Sequence, residues 1–340
     1  MKSHPKVSIV ISCFNQIKYL PKTIESAQRV DYGNLEIVIS DDASTDGTEV
    51  SIAKYLDDPR IRFFRNPTNL GIVRNYRKGL YDYATGEWAI YLDGDDYLTD
   101  VNFIRDAVEA IGKYDDVVLV AGGETALDPD GSSVDQLPTT HPIEFLEGKS
   151  FFLKWFGSTG GTAHLGALYR RDLAMKIGFY VHDVVSSDWE CLRRLVVTGN
   201  VVAFGRSVGV WRRHESNISR AYDVQKRLDN LISITGPYEF AKAYFQDRAS
   251  LDGWYKEAII DFLQGNFVYF VTGGFVRRAF TFLSEGLRKF PELKTSTYLR
   301  IFRHPAVLLA LSANLLGQIN YLRLRELKKK LKRFLSRRVD

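Results

Sequence analysis

Short apolar runs alternate with amphipathic stretches over the first hundred residues of this 340-residue chain. Continuous apolar runs are typical of strands buried on both faces of a parallel sheet, and apolar residues three and four positions apart are typical of helices. The pattern predicts strands at 7–12, 35–40, 61–64 and 87–92, and helices at 19–29, 50–56 and 72–84. This alternation predicts an α/β fold with a doubly wound, mostly parallel sheet flanked by helices.

Polar side chains follow three of these strands. Asn15 comes after the first strand, Asp42 after the second, and Asp93, Asp95 and Asp96 after the fourth. Ligands of doubly wound sheets bind at the carboxyl ends of the strands, where these side chains should meet. No G-x-G-x-x-G motif follows the first strand, so the interpretation as a dinucleotide-binding protein loses its main support.

The segment D-G-D-D at residues 93–96 brings three carboxylates to one strand end. Buried carboxylates repel one another and need compensating positive charge, and oxygen ligands of this kind suit Mg²⁺ or Mn²⁺. The motif alone is equally compatible with an acidic turn in which Asp96 or Asp100 caps the helix that begins near Val101.

Beyond residue 100 the pattern is less regular. It predicts a strand at 117–121, a turn-rich connection at 128–141, a Gly-rich turn and short strand at 158–171, strands at 201–204 and 208–211, and helices after residue 222. Trp189, Leu192 and Leu195 share one face of a further predicted helix, with Asp188 in its first turn. The pattern alone leaves Asp188 as either a helix N-cap or a functional residue.

Composition and charge narrow the class of protein. The two cysteines, Cys13 and Cys191, fit no metal spacing and no disulfide framework, which favours a reducing compartment. The opening M-K-S-H-P-K contains no apolar signal region, so we expect a cytoplasmic protein. Nine Lys or Arg and one Glu between Arg323 and Arg338 give a local +8, more than the net +5 of the whole chain. No nucleic-acid motif accompanies this basic segment, so nucleic acid is not the expected partner.

The C-terminal segment is apolar and then basic. Residues 305–322 carry no charge, but four Ser, Asn and Gln side chains make them a poor transmembrane helix. In the tail, Leu324, Leu327, Leu331 and Phe334 share one face, and basic residues occupy the others. Such helices suit an anionic membrane surface, here the inner face of the cytoplasmic membrane. A solvated helix end is the alternative.

Four segments together resemble the family-two glycosyltransferases with the A-type nucleotide-sugar fold. They are S-I-V-I-S-C-F-N, I-S-D-D-A-S-T-D-G-T, N-L-G-I and T-G-E-W-A-I-Y-L-D-G-D-D-Y-L, and the resemblance covers residues 6–219. It implies a nucleotide-sugar-binding domain at 1–219, and the sequence pattern adds a helical region at 220–304 and the terminal helices at 305–340. The family frequently has Ala-Arg-Asn after N-L-G, whereas this chain has I-V-R-N-Y-R-K-G. Arg74, Asn75, Arg77 and Lys78 therefore stay open between ligand contacts and ordinary helix residues.

The resemblance also implies roles for single residues. In the family, the position of Asp42 contacts the nucleotide base, the positions of Asp93 and Asp95 hold ribose and the metal-diphosphate, and the position of Asp188 deprotonates the acceptor. The implied nucleotide site is Asn15, Asp42, Arg74 and Asp93; the metal site is Asp93, Asp95 and His214; the general base is Asp188; and possible diphosphate or acceptor contacts are Asp96, Glu190, Arg212 and Arg213. Glu190 is also the reserve candidate for the base.

The implied function is an inverting, non-processive glycosyltransferase that uses a UDP-sugar and Mg²⁺ or Mn²⁺. Its acceptor would be a glycan or a lipid-linked glycan in surface polysaccharide assembly. A non-catalytic nucleotide-sugar-binding assembly subunit at the membrane is the alternative from another class. A nucleotidyltransferase would need a Gly-rich phosphate loop where this chain has S-C-F-N-Q. Dimerisation through the helices after residue 222 is left open.

Overall fold

One mixed sheet with helices on both faces forms the centre of the molecule. The computed structural model describes residues 4–155, 164–215, 217, 223–305 and 307–308. Within these residues the strands are β1 (Val7–Cys13), β2 (Leu35–Asp41), β3 (Ile61–Arg65), β4 (Trp88–Asp93), β5 (Tyr97–Leu98), β6 (Val117–Leu127), β7 (Ser133–Gln136), β8 (Ile143–Glu147), β9 (Ala167–Arg170) and β10 (Asn200–Arg212). The helices are α1 (Leu20–Gln28), α2 (Thr48–Ile52), α3 (Ile72–Lys78), α4 (Phe103–Ile111), α5 (Gly148–Lys154), α6 (Arg171–Lys176), α7 (Ser187–Val196), α8 (Val224–Asp229), α9 (Ile232–Ala241), α10 (Arg248–Thr272), α11 (Val276–Lys289) and α12 (Lys294–Arg303).

The strand order is β3-β2-β1-β4-β9-β6-β10-β5, with β7 added to β6 and β8 to β10. The ladders β3/β2, β2/β1, β1/β4 and β6/β10 are parallel. Strand β9 is antiparallel to both of its neighbours and joins the two parallel parts. The strands predicted in the first hundred residues are confirmed, and the longest ladders of the sheet are parallel as expected.

Three predicted elements differ in the structure. The predicted helix at 72–84 is α3 followed by a π-helical turn, Gly79–Tyr83. The predicted strands at 201–204 and 208–211 are one strand, β10, whose register with β6 shifts between Ala203 and Ser207. The connection at 128–141 contains β7, which pairs with β6. The extent of β10 and the presence of β7 are determined by pairing with a neighbouring strand and not by the local sequence pattern.

The parallel register aligns the strand ends. Ser12 of β1 lies opposite Ser40 of β2 and opposite Asp93 of β4, and Cys13 lies opposite Asp41. Because all three strands run the same way, the loops that leave them meet at one edge of the sheet. The polar residues after β1, β2 and β4 are therefore neighbours in space.

The two faces of the sheet have separate hydrophobic clusters. Ile9 and Ile11 pack with α1 and α4 on one face, and Val10 packs with α3, α5 and α7 on the other. This second cluster continues into α8–α12, so the C-terminal helices share a core with the sheet. The N–H of the Trp254 side chain donates to the carbonyl of Trp155 at 3.3 Å.

Arg193 links α7 to the C-terminal helices. Its side chain is buried and donates to the carbonyl oxygen of Ser233 in α9 at 2.8 Å. The guanidinium lies 5.3 to 6.0 Å from three indole rings, those of Trp155, Trp189 and Trp254. Burial lowers the pKa of Arg193 to about 10, and the charge of Asp188 opposes that shift. The position of α7 therefore depends on the helices that follow it.

Two predicted segments lie outside the described residues. They are the Gly-rich turn up to residue 163 and the chain from residue 309, which includes the basic tail. Among the helices that the structure describes, none has both the length and the apolar character that a membrane crossing requires.

Candidate active site

Three carboxylates come together after β4. Asp93, Asp95 and Asp96 each place a carboxylate oxygen within 4.8 Å of the other two. Burial and the negative charge of Asp95 raise the pKa of Asp93 to about 7. The same two causes raise the pKa of Asp96 well above its usual range. The raised pKa values mean that the described residues do not compensate the charge of Asp93 and Asp96, and a bound divalent cation would do so.

A tight turn at Gly94 makes this clustering possible. The Gly94 N–H donates to the carbonyl of Ser12 at 2.9 Å, which ties the turn to the end of β1. A Cβ at this position would collide with Gln16 Oε1 and come within 2.8 Å of Cys13 Cβ. Glycine is therefore required by the close approach of the two strand ends.

Asp93 and Asp96 are oriented by other elements. The Tyr76 hydroxyl of α3 donates to Asp93 Oδ1 at 2.6 Å. The Arg212 N–H at the end of β10 donates to Asp96 Oδ1 at 2.9 Å. The Arg212 guanidinium also donates to the carbonyl of Asp95 and lies 4.9 Å from the Tyr19 ring. Arg212 thus holds the turn at residues 93–96 in place, and its side chain is already bonded to groups of the protein.

His214 reaches the cluster from the far end of β10. Its Nε2 lies 2.8 Å from Asp95 Oδ2, and its ring stacks on Tyr19 with centroids 4.8 Å apart. Asn217 Nδ2 is 3.5 Å from the same Asp95 oxygen. The structure therefore brings together Asp93, Asp95 and His214, the three residues predicted as metal ligands.

The donor set fits Mg²⁺ or Mn²⁺. Carboxylate oxygens from Asp93, Asp95 and Asp96 are the ligands that these ions prefer, and one imidazole, that of His214, is close by. Beside Gly94, the Gln16 Oε1 atom is buried and accepts no hydrogen bond from the described residues. An unpartnered oxygen next to three crowded carboxylates is consistent with a site built for a cation.

Asp188 lies in the first turn of α7, and its charge acts on this cluster. The N-cap residue of α7 is Ser186, so the alternative in which Asp188 is the helix cap is wrong. Burial raises the pKa of Asp188 to about 6. Its negative charge also contributes to the raised pKa values of Asp93 and Tyr76. Asp188 thus lies near the carboxylate cluster, and its role in the site stays a prediction.

Glu124 is a further carboxylate of the site that the sequence patterns missed. The predicted strand ended at residue 121, whereas β6 continues to Leu127 and carries Glu124 towards the cluster. Burial and the charge of Asp188 raise the pKa of Glu124 to about 7, and Arg213 opposes that shift. Its charge acts in turn on Asp93 and Asp96. The sequence signal that could have identified Glu124 is its position three residues after the apolar run at 117–121.

Asp42 follows β2 and is engaged by the loop N-L-G. Its side chain is 2% exposed. The backbone N–H groups of Leu70 and Gly71 donate to its two oxygens, each at 2.9 Å, and Asn66 Nδ2 donates to Oδ1 at 2.9 Å. Asp42 therefore holds this loop against the end of β2, and a contact with a nucleotide base stays a prediction.

Asn15 connects the loops after β1 and β2. It has a positive φ of 53°, and its Oδ1 accepts a hydrogen bond from the Thr45 N–H at 2.8 Å. The Asn15 N–H donates to Ser44 Oγ at 2.8 Å. Asn15 thus shapes the rim of the predicted nucleotide site.

The segment after N-L-G divides into buried and exposed residues. Asn75 is buried, donating to Ser12 Oγ at 2.8 Å and accepting from Ser40 Oγ at 2.6 Å. Arg77 donates to the carbonyl of Phe179 at 2.9 Å. Both are therefore used within the fold, whereas Arg74 is exposed and makes no hydrogen bond with the described residues. Arg74 remains available to a ligand.

Glu190 is held in a buried ion pair, whereas Arg213 lies near Glu124. Glu190 is 1% exposed, and Arg194 Nε and Nη2 donate to its two oxygens at 2.6 and 2.8 Å. Both oxygens of Glu190, the reserve candidate for the base, are therefore bonded to Arg194. Arg213 lies 4.5 Å from the Trp211 ring and 3.5 Å from Asp128, on the side of the site where Glu124 lies.

The family comparison identifies relatives of the N-terminal part. The model of "Glycosyl transferase family 2" matches residues 8–178, half of the chain. A Campylobacter jejuni GalNAc(5)-diNAcBac-PP-undecaprenol β-1,3-glucosyltransferase is 42% identical over 97 residues, 28% of this chain and 31% of that protein. The putative glycosyltransferase EpsE of Bacillus subtilis is 40% identical over 101 residues, 28% of this chain and 35% of that protein. The matched stretches thus span about a third of these relatives.

Solved structures share the fold over most of the chain. Residues 1–349 of Staphylococcus aureus TarS in complex with UDP-GlcNAc give a TM-score of 0.57 at 15% identity, covering 86% of this chain and 92% of that one. The Pyrobaculum calidifontis mannosyltransferase PcManGT with GDP-Man and Mn²⁺ gives 0.54 at 14% identity, covering 93% and 88%. At these identities the likeness shows the fold alone. The predicted A-type glycosyltransferase fold is confirmed.

Proposed function

The chain belongs to glycosyl transferase family 2, and we propose that it is an inverting, metal-dependent glycosyltransferase. It would move a sugar from a nucleotide-sugar, in our proposal a UDP-sugar, to a glycan or lipid-linked glycan in surface polysaccharide assembly. The observation that carries the proposal is the convergence of Asp93, Asp95 and Asp96 with Asp188 at one edge of the sheet. Four carboxylates that act on one another provide both a cation site and a base.

The donor would lie across the ends of β1, β2 and β4. The loops held by Asn15 and Asp42 form one side of this region, and Arg74 is exposed on the helix that follows N-L-G. Asp93, Asp95 and His214 would hold Mg²⁺ or Mn²⁺, which supplies positive charge to the diphosphate leaving group when bound. Tyr76 keeps one Asp93 oxygen directed by its hydrogen bond.

Asp188 is the proposed general base. A carboxylate whose pKa is about 6 is ionised at neutral pH, yet is more basic than an ordinary aspartate. It would take the proton of the acceptor hydroxyl as that oxygen bonds to the anomeric carbon. The bond from that carbon to the donor phosphate oxygen breaks on the opposite side, so the configuration inverts. Glu190 is a poorer candidate because Arg194 already neutralises it.

The relatives give this proposal its substrate classes. One relative is named as a glucosyltransferase for an undecaprenol-linked glycan, and the TarS structure holds UDP-GlcNAc. We therefore propose a lipid-linked acceptor and attachment of the basic C-terminal segment to the inner face of the cytoplasmic membrane. Co-sedimentation with phosphatidylglycerol and phosphatidylcholine vesicles tests the attachment. Binding to the anionic vesicles that persists after removal of residues 305–340 would contradict it.

The first experiment is a thermal-shift panel of UDP, GDP, dTDP and CMP compounds with and without Mn²⁺. A ligand that binds only the folded state raises its melting temperature, so one nucleotide should do so in a metal-dependent way. Asp95→Asn should abolish the response, whereas Asp183→Asn, an exposed carboxylate before α7, should not.

Release of the same nucleotide from its sugar conjugate is then measured with the wild-type protein and with Asp188→Asn. Binding with turnover that depends on Asp188 supports the glycosyltransferase. Binding without turnover would favour the non-catalytic assembly subunit. Near-normal turnover by Asp188→Asn would exclude this residue as the base.

A further inference from the structure

Glu124 is a half-buried carboxylate on β6, beside the proposed active site. It lies on β6 with Gly209 of β10 and Gln136 of β7 as its neighbours across the sheet. No residue that the structure describes donates a hydrogen bond to its carboxylate, although the adjacent Thr125 is bonded to Asp135 at 2.6 Å. With no hydrogen bond from the described residues, this half-buried carboxylate can accept one from a ligand.

The surroundings of Glu124 include both a second carboxylate and a basic group. The charge of Asp188 acts on Glu124 from α7, and that of Arg213 acts on it from the end of β10. Arg213 Nε is buried and donates to no acceptor among the described residues. The Arg213 guanidinium also lies over the Trp211 ring at 4.5 Å. Arg213 Nη1 is paired with Asp128 Oδ2 at 3.5 Å, so the polar group left for a polyhydroxylated ligand is the Glu124 carboxylate, near the Trp211 ring.

The place of Glu124 relative to the other carboxylates indicates which ligand this is. The proposed donor region lies at the ends of β1, β2 and β4, whereas Glu124 lies on β6, the strand against which α7, the helix of Asp188, packs. Asp188 is the group that the proposed reaction assigns to the acceptor hydroxyl. A ligand that contacts both Asp188 and Glu124 is therefore the acceptor.

We propose that Glu124 binds the acceptor sugar by accepting a hydrogen bond from a second hydroxyl, next to the one that Asp188 deprotonates. This inference rests on the proposed function and narrows its acceptor to a sugar residue with two neighbouring hydroxyl groups. The second contact orients the sugar so that the reacting hydroxyl faces both Asp188 and the anomeric carbon. Glu124 is thus an acceptor-binding residue, and it does not take part in proton transfer.

The test compares wild-type protein with Glu124→Gln, which keeps the shape of the side chain and removes its charge. Asp135→Asn is the matched control, because it removes a carboxylate from the neighbouring strand β7 that is bonded to Thr125 instead. Binding of the methyl glycosides of glucose, galactose, N-acetylglucosamine and N-acetylgalactosamine is measured by saturation-transfer NMR in the presence of UDP and Mg²⁺. Glu124→Gln should weaken the best-bound glycoside about tenfold or more, and the control should not.

Deoxy analogues of that glycoside identify the contact. Removing the hydroxyl that Glu124 binds should weaken binding to the wild type, and Glu124→Gln should then cause no further loss. In turnover assays, Glu124→Gln should raise the KM for the acceptor about tenfold. The KM for the donor should change less than that for the acceptor, because Glu124 acts on the donor side only through its charge on Asp93 and Asp96.

The outcomes separate this inference from the proposed function. An acceptor KM that is unchanged or raised no more than the donor KM, or a wild-type protein that binds none of the glycosides, would overturn the role of Glu124. Glycoside binding that depends on Glu124, in a protein that transfers no sugar from any nucleotide donor, would overturn the proposed function and leave this inference standing. Circular dichroism of the variant confirms that it is folded.

Discussion

Replacing Glu124 by glutamine should make the ligand-free protein more stable at pH 8, even though it should impair acceptor binding. The pKa of this carboxyl is raised from 4.5 to about 7 in the folded protein, chiefly by burial. The folded state therefore keeps its proton to higher pH than the unfolded state does. The free energy of unfolding falls as the pH rises from about 4.5 through 7, and glutamine removes this loss.

The size of the effect follows from the shift. Each pKa unit corresponds to about 1.4 kcal/mol, so a shift from 4.5 to about 7 gives about 3 kcal/mol as the upper value. The side chain keeps some contact with solvent, and Arg213 remains nearby, so we expect about 1–3 kcal/mol at pH 8. The gain should be small at about pH 4.5, where the folded state is protonated and the unfolded state is about half protonated.

Urea denaturation at about pH 4.5, 6.5 and 8 in the presence of EDTA measures this difference. EDTA is needed because a cation bound at Asp93 and Asp95 would compensate part of the same charge. Asp135→Asn should show no gain that grows with pH. A Glu124→Gln variant that is less stable at pH 8, or equally stabilised at all three pH values, would refute the reasoning.

Four further outcomes are expected. Asp188→Asn should lower kcat about a hundredfold or more. In a pH-rate profile of the wild type, the logarithm of kcat/KM should rise with unit slope up to about pH 6. EDTA should abolish transfer and Mn²⁺ restore it, and Asp95→Asn should raise the Mn²⁺ concentration required in a titration. Tyr76→Phe should leave the protein folded but weaken Mn²⁺ binding measured by electron paramagnetic resonance, because Asp93 loses its orienting hydrogen bond. Gly94→Ala should lower the melting temperature by several degrees, whereas Gly33→Ala, whose Cβ would meet nothing within 4 Å, should not.

The first half of the fold could be predicted because its central strands are buried on both faces. In β1 and β2 every residue is buried, and such strands give continuous apolar runs that local sequence reveals. The polar residues at their ends could be located for the same reason. Parallel order then places Asn15, Asp42 and Asp93 at one edge without any knowledge of side-chain contacts.

The second half could be predicted less well because long-range pairing determines it. Strand β7 has an exposed, polar sequence that becomes a strand only against β6. Glu124 was missed because the pairing of β6 with β10 carries the strand past its apolar run. The place of Asp188 came from the family resemblance, since a pattern of three apolar residues cannot show which strand end a helix approaches. The roles of Asn75 and Arg77 required their hydrogen-bond partners to be seen.

Arg193 has a consequence for protein engineering. The helix that carries Asp188 is fastened through this buried guanidinium to the Ser233 carbonyl and to the Trp254 ring, both from the C-terminal helices. Exchanging those helices with another family member, in order to redirect the enzyme to a new acceptor, would therefore also move the proposed base. A chimera should recover activity only when the introduced helices supply matching partners for Arg193, so the C-terminal helices of this protein cannot be treated as an interchangeable module.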